Sequence, residues 1–109
     1  MKSHTKVVII GGGIMGVSLL YHLTKEGWTD IVLIEKGELT SGSTWHAAGQ
    51  CPHFVGSYNA AKIHNYSNKL YQDLEKETGQ STGWHGCGSL RLALKEEDVN
   101  WFHYVKGIL

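Results

Sequence analysis

The feature that most constrains what this chain folds into is a triple glycine, Gly11-Gly12-Gly13, followed by Ile14, Met15 and Gly16. It comes straight after Lys6-Val-Val-Ile-Ile10, a β-branched run that reads as a buried parallel strand. Residues 14–26 then carry Ile14, Val17, Leu20 and Leu23 at helical spacing, and Gly27 stands where a C-terminal cap belongs. Residues 31–34 (Ile-Val-Leu-Ile) predict a second buried strand, closed by Glu35. Strand, glycine turn, helix and strand in about thirty residues form a βαβ unit with a right-handed crossover, so the fold class is α/β.

Gly11, Gly13 and Gly16 match the pattern G-x-G-x-x-G. The first glycine permits the tight turn, the second admits a diphosphate to the backbone, and the third lets helix and strand pack closely. Free N–H groups at the helix start then hold the phosphates. Glu35 lies nineteen positions after Gly16, where a carboxylate accepts bonds from the adenosine ribose hydroxyls. That carboxylate disfavours a 2′-phosphate and with it NADP, leaving NAD and FAD.

Charge argues against other partners. Ten acidic and ten basic residues cancel, without a block of like charge, so neither nucleic acid nor an anionic membrane is expected. The apolar run at residues 7–10 is too short to cross a bilayer, and residues 1–6 do not read as a signal peptide. A cytoplasmic location is expected, or the mitochondrial matrix where a transit peptide has been removed. Cys51 and Cys87 are expected as reduced thiols. Neither Cys51-Pro-His53 nor Trp84-His-Gly-Cys87 has the spacing of a metal site.

Residues 37–49 are unlike an ordinary connection after a second strand. The segment is rich in Gly, Ser and Thr and sets Trp45 and His46 beside Ala47, Ala48 and Gly49. Backbone amides of Gly42, Ser43 and Thr44 offer donors to phosphate or ribityl oxygens. The three small residues leave room for a flat ring.

The string Thr40-Ser-Gly-Ser-Thr-Trp-His-Ala-Ala-Gly49 resembles the flavin-attachment motif of the dimethylglycine and sarcosine dehydrogenase family. Lys62-Ile-His64, Glu77-Thr-Gly-Gln80 and Gly88-Ser-Leu-Arg-Leu-Ala93 extend the resemblance over nearly the whole chain. It implies the N-terminal piece of a D-amino-acid-oxidase-like two-domain flavoenzyme that oxidatively demethylates a small N-methylated amino acid. It also implies FAD bonded covalently through its 8α-methyl carbon to His46. The family's FAD contacts fall on Ile14 and Met15, on Glu35 and Lys36, and on residues 42–50: Gly42, Ser43, Thr44, Trp45, His46, Ala47, Ala48, Gly49 and Gln50. Electron-transfer flavoprotein as acceptor, and tetrahydrofolate bound in a C-terminal domain, are further implications. Catalytic residues are not assigned. The alternative is a regulatory or structural relative that keeps the dinucleotide fold; some such relatives have lost the histidine that His46 matches, and its presence here favours the enzyme.

Residues 1–57 are expected to form the FAD-binding unit and attachment loop, and residues 58–109 a helix–strand–helix leading into a substrate domain. Residues 59–77 predict an amphipathic helix with Ile63, Tyr66, Leu70 and Leu74 inward, ended by Gly79. Leu90, Leu92 and Leu94 alternate as in a half-buried strand, and residues 96–109 predict a helix with acidic residues in its first turn. Trp45, Trp84 and Trp101 are expected in the core or shielding the cofactor. The two strands alone leave an open sheet edge, so the chain reads as a fragment or as a subunit completed by another chain.

Overall fold

The structure, a computed structural model, describes residues 3–109. They form two compact units, one ending at Gly49 and the other spanning Gln50–Leu109.

In the first unit β1 (Val7–Ile10) pairs in parallel with β2 (Ile31–Ile34), Val7 opposite Ile31 and Ile10 opposite Ile34. Helix α1 (Ile14–Lys25) makes the crossover. Side chains fix the sheet's starting end. Asp30 accepts the Lys6 N–H at 3.2 Å through Oδ2 and the Thr5 hydroxyl at 3.0 Å through Oδ1. Helix α1 ends as the sequence predicts. Gly27 (φ 84°) donates to the Thr24 carbonyl and Trp28 to that of Leu23, the paired bonds of a Schellman cap.

Burial departs from the sequence reading. The inner face of α1 runs through Gly16, Leu20 and Leu23, while Ile14 and Val17 turn outward. The strands are not buried on both faces. Ile9 is the only residue of β1 and β2 that is buried, and Ile10 is 86% exposed. A parallel sheet is buried only when layers cover both faces, and among the described residues this unit has one helix and two strands.

The second unit holds α2 (Tyr58–Thr78) and α3 (Glu96–Ile108). Residues 50–57 pack within it: His64 Nδ1 lies 2.7 Å from the Pro52 carbonyl oxygen, and Phe54 meets Phe102 edge-on at 5.5 Å. Gly79 ends α2 in the left-handed region (φ 71°) and donates to the Glu75 carbonyl. Asp98 opens α3 by accepting the N–H groups of Leu94 and Lys95. The buried positions are Ala61, Asn68 and Val105. Helix α2 therefore turns Ala61, His64, Asn68 and Tyr71 inward, and the predicted Ile63 and Tyr66 are exposed.

One further expectation fails. Residues 90–94 are irregular, with Leu90, Leu92 and Leu94 exposed. A strand exists only against a partner, and among the described residues none lies beside them. Of the tryptophans expected in a core or shielding the cofactor, Trp45 is exposed, Trp84 stacks on Tyr71 at 6.4 Å and Trp101 on Tyr104 at 5.3 Å.

Candidate functional site: a cleft between the glycine turn and the loop after β2

The end of β1 becomes the cradle because its glycines hold positions that other residues cannot. Gly11 takes φ 107°, and its N–H donates to the Ile34 carbonyl at 2.8 Å, continuing the β1–β2 ladder into the turn. At Gly16 a Cβ would strike the Gly11 carbonyl oxygen, so only glycine lets α1 start this close to the strand.

Glu35, leaving β2, grips the same turn. Its Oε2 accepts the Gly12 N–H at 2.6 Å and its Oε1 the Gly37 N–H at 2.9 Å. The Gly12 bond above all, and then the Gly37 bond, hold the carboxyl below the usual carboxylate range, against the smaller opposing effect of desolvation. It is therefore charged at neutral pH. Each oxygen keeps a lone pair for a ribose hydroxyl.

The loop after β2 closes over the turn. Thr40, at φ 68° in the left-handed region that β-branched residues avoid, donates its N–H to the Gly12 carbonyl at 3.0 Å. Amides of Trp45, His46 and Ala47 donate to the carbonyls of Thr40 or Gly42, Ser43 and Thr44 respectively, so the loop coils on itself. Among the described residues the amides of Gly42, Ser43 and Thr44 meet no acceptor. The Thr44 hydroxyl accepts the Ile14 N–H at 2.9 Å, joining the loop to the start of α1.

Between these parts lies a cleft of about 480 Å³. The glycine turn contributes Gly11, Gly13, Ile14, Met15 and Gly16, β2 contributes Glu35 and Lys36, and the loop contributes Gly42, Ser43 and Thr44. Unpaired amides, a helix start and a charged carboxylate in one cleft fit the adenosine diphosphate half of FAD. Trp45, His46, Ala47, Ala48 and Gly49 lie outside this cleft and are exposed, and Gln50 belongs to the second unit. His46 is nonetheless ordered by its own loop. Its Nδ1 lies 3.0 Å from the Gly42 carbonyl oxygen. A carbonyl only accepts, so the contact selects the tautomer that carries a proton on Nδ1.

The cleft also takes in Ile10, Thr40 and Ser41, which the sequence reading did not choose, and Gly12 serves Glu35 and Thr40 from beneath. Thr40 opens the motif string, but nothing in its residue type announces its backbone conformation. Among the described residues no cluster of His, Cys, Asp or Glu is placed to hold a metal.

Comparison with known proteins supplies the family. Over 103 residues the chain is 56% identical to the mitochondrial dimethylglycine dehydrogenase of Rattus norvegicus, covering 94% of this chain and 12% of that one. It is 50% identical to the mitochondrial pyruvate dehydrogenase phosphatase regulatory subunit of Mus musculus (89% of this chain, 11% of that one). With the mitochondrial sarcosine dehydrogenase of Mus musculus it shares 40% identity (92% and 11%). The chain thus spans about one-eighth of the length of these relatives. A crystal structure of L-proline dehydrogenase from P. horikoshii superposes with a TM-score of 0.79 at 24% identity, covering 99% of this chain and 28% of that one, which shows a shared fold. The profile of the DAO family, described as FAD dependent oxidoreductase, matches residues 6–107, and the chain belongs to that family.

Proposed function

We propose that this chain is the FAD-binding part of an amine oxidoreductase that oxidatively demethylates a small N-methylated amino acid of the dimethylglycine or sarcosine type. The observation that carries this reading is the cradle together with His46. The unpaired amides and Glu35 would hold the adenosine diphosphate half of FAD. His46, its Nδ1 occupied by Gly42, would present Nε2 as the nitrogen for a covalent bond to the flavin. When bound, FAD supplies the acceptor for a hydride from the substrate's N-methyl carbon. The chain's own residues bind and orient it. Gly11 and Gly16 bring the backbone to the phosphates, Glu35 fixes the ribose end, and residues 42–46 would fix the ring end.

The relatives carry the finer statements. Their names support a dimethylglycine- or sarcosine-like substrate and the mitochondrial matrix as location. Electron-transfer flavoprotein as acceptor, and tetrahydrofolate elsewhere in the protein, belong to the same proposal. No helix among the described residues is long and apolar enough to cross a membrane.

The 50% identity to a regulatory subunit favours a second reading, a non-catalytic relative that keeps the fold. One preparation separates the two. Acid denaturation of the full-length holoprotein should leave yellow fluorescence on the polypeptide, and a digest should place the mass of FAD on the His46 peptide. Anaerobic dimethylglycine or sarcosine should then bleach the flavin. An unmodified His46 peptide ends the case for a tether, and a bound flavin that neither amine bleaches supports the regulatory reading.

A further inference from the structure

We propose that Leu39 is a positioning residue for Glu35: its side chain lies over Gly12 and the Glu35 stem and keeps the carboxylate on the Gly12 N–H, in the orientation that the cofactor's adenosine ribose requires. This rests on the FAD reading above and deepens it with two residues, Leu39 and Gly12, to which the spacing of the motif assigns no role.

Gly12 occupies a free position of the G-x-G-x-x-G pattern, where the motif itself sets no residue type. Its surroundings set one. A Cβ there would stand 2.5 Å from Leu39 Cδ2 and 3.1 and 3.2 Å from Glu35 Cβ and Cγ, all tighter than ordinary contact. Leu39 and the Glu35 stem therefore share one side of a bare α-carbon, and Gly12 is buried although Leu39 itself is more than half exposed. The backbone around Leu39 holds it there. Glu38 accepts the Ser41 N–H at 3.2 Å in a tight turn, and Thr40, at φ 68°, donates to the Gly12 carbonyl at 3.0 Å. The stem that Leu39 covers ends in the carboxylate whose Oε2 takes the Gly12 N–H at 2.6 Å. Without the leucyl cover, water reaches that bond and the stem gains other rotamers, so the carboxylate is no longer held in one orientation. The ribose hydroxyls are the ligand groups that read this orientation.

Full-length protein carrying His46→Ala, which removes any tether and makes binding reversible, is titrated with FAD, ADP and 2′-deoxy-ADP by calorimetry. This parent should prefer ADP to its 2′-deoxy analogue roughly tenfold, the size of one hydrogen bond to a charged group. Adding Leu39→Ala should cut that preference to roughly threefold or less, with the affinity for 2′-deoxy-ADP kept within about twofold of the parent. Leu39→Met, which restores apolar volume, should restore the preference. Glu35→Ala should abolish it, and in that background Leu39→Ala should change nothing further. Gly12→Ala, which sets a methyl where the leucine lies, probes the same contact should Leu39→Ala fail to fold, and circular dichroism checks each variant. An undiminished preference in the folded variants, or an equal loss for both nucleotides, which is what a merely structural role gives, overturns the proposal and leaves the flavin reading intact. So does a parent that binds FAD but shows no preference for ADP. A folded parent that takes up no FAD overturns both.

Discussion

Glu35 shows how one side chain can serve structure and ligand together. Its two oxygens are already engaged by the N–H groups of Gly12 and Gly37, so the carboxylate shapes the turn from a position that lines the cleft. Those bonds stabilise the charged form and lower its pKa in the folded protein. The corresponding stability is fully present above the unfolded value of about 4.3 and disappears as pH falls through the lower folded value. Glu35→Gln should therefore lower the unfolding midpoint at neutral pH, and the difference from the parent should shrink as both are acidified below about pH 4. Chemical denaturation across a pH series checks this, and a gap that persists undiminished in acid would show that the charge is not the cause. The sequence marked Glu35 for the ribose by spacing. It carried no sign of the bond to Gly12, because that contact exists only once β1 and β2 lie side by side.

Among the elements, the β1–turn–α1 segment was the most legible, and its legibility has a local cause. β-branched strand residues, a glycine triplet and a helix closed by Gly27 act within a few positions of one another. Which faces these elements bury was less legible. The sequence set Ile14, Val17, Leu20 and Leu23 on one face of α1; the structure keeps Leu20 and Leu23 inward, adds Gly16 and leaves Ile14 and Val17 exposed. Gly16 orients the helix because the closest approach to the strand occurs where there is no side chain. Gly16→Ala would drive a methyl against the Gly11 carbonyl oxygen. Its expected cost is roughly 1–3 kcal/mol of stability, with FAD binding weakened in parallel. Thermal melts and FAD titration of the full-length variant measure both, and a variant with parental stability and affinity would mean that α1 can shift away at no cost.

For the molecule as a whole, burial is sparse. The accessible surface is 9061 Å². Two compact units of half this mass would together expose roughly 7,300 Å² by surface scaling. Large apolar side chains contribute to it: Ile10, Leu90 and Leu94 are each more than 80% exposed. Among the described residues the buried apolar ones are Ile9, Ala61 and Val105, a small core to set against the entropy of ordering the chain. The 109-residue chain expressed by itself should therefore bind the dye ANS and show weak amide protection, strongest around β1, β2 and the middle of the helices. A dye-silent chain with strong protection would show that these surfaces need no cover.

The sequence alone determined the βαβ unit, the helix limits, the identity of the cradle glycines and, through the attachment string, the flavin reading. All of these depend on residues close together in the chain, where conformational preference acts directly. Tertiary structure decided which helix faces turn inward, that residues 90–94 form no strand in the described chain, that Thr40 is held at positive φ and that the Thr44 hydroxyl reaches Ile14. Each of these depends on a partner distant in sequence, and no local propensity encodes where such a partner will be.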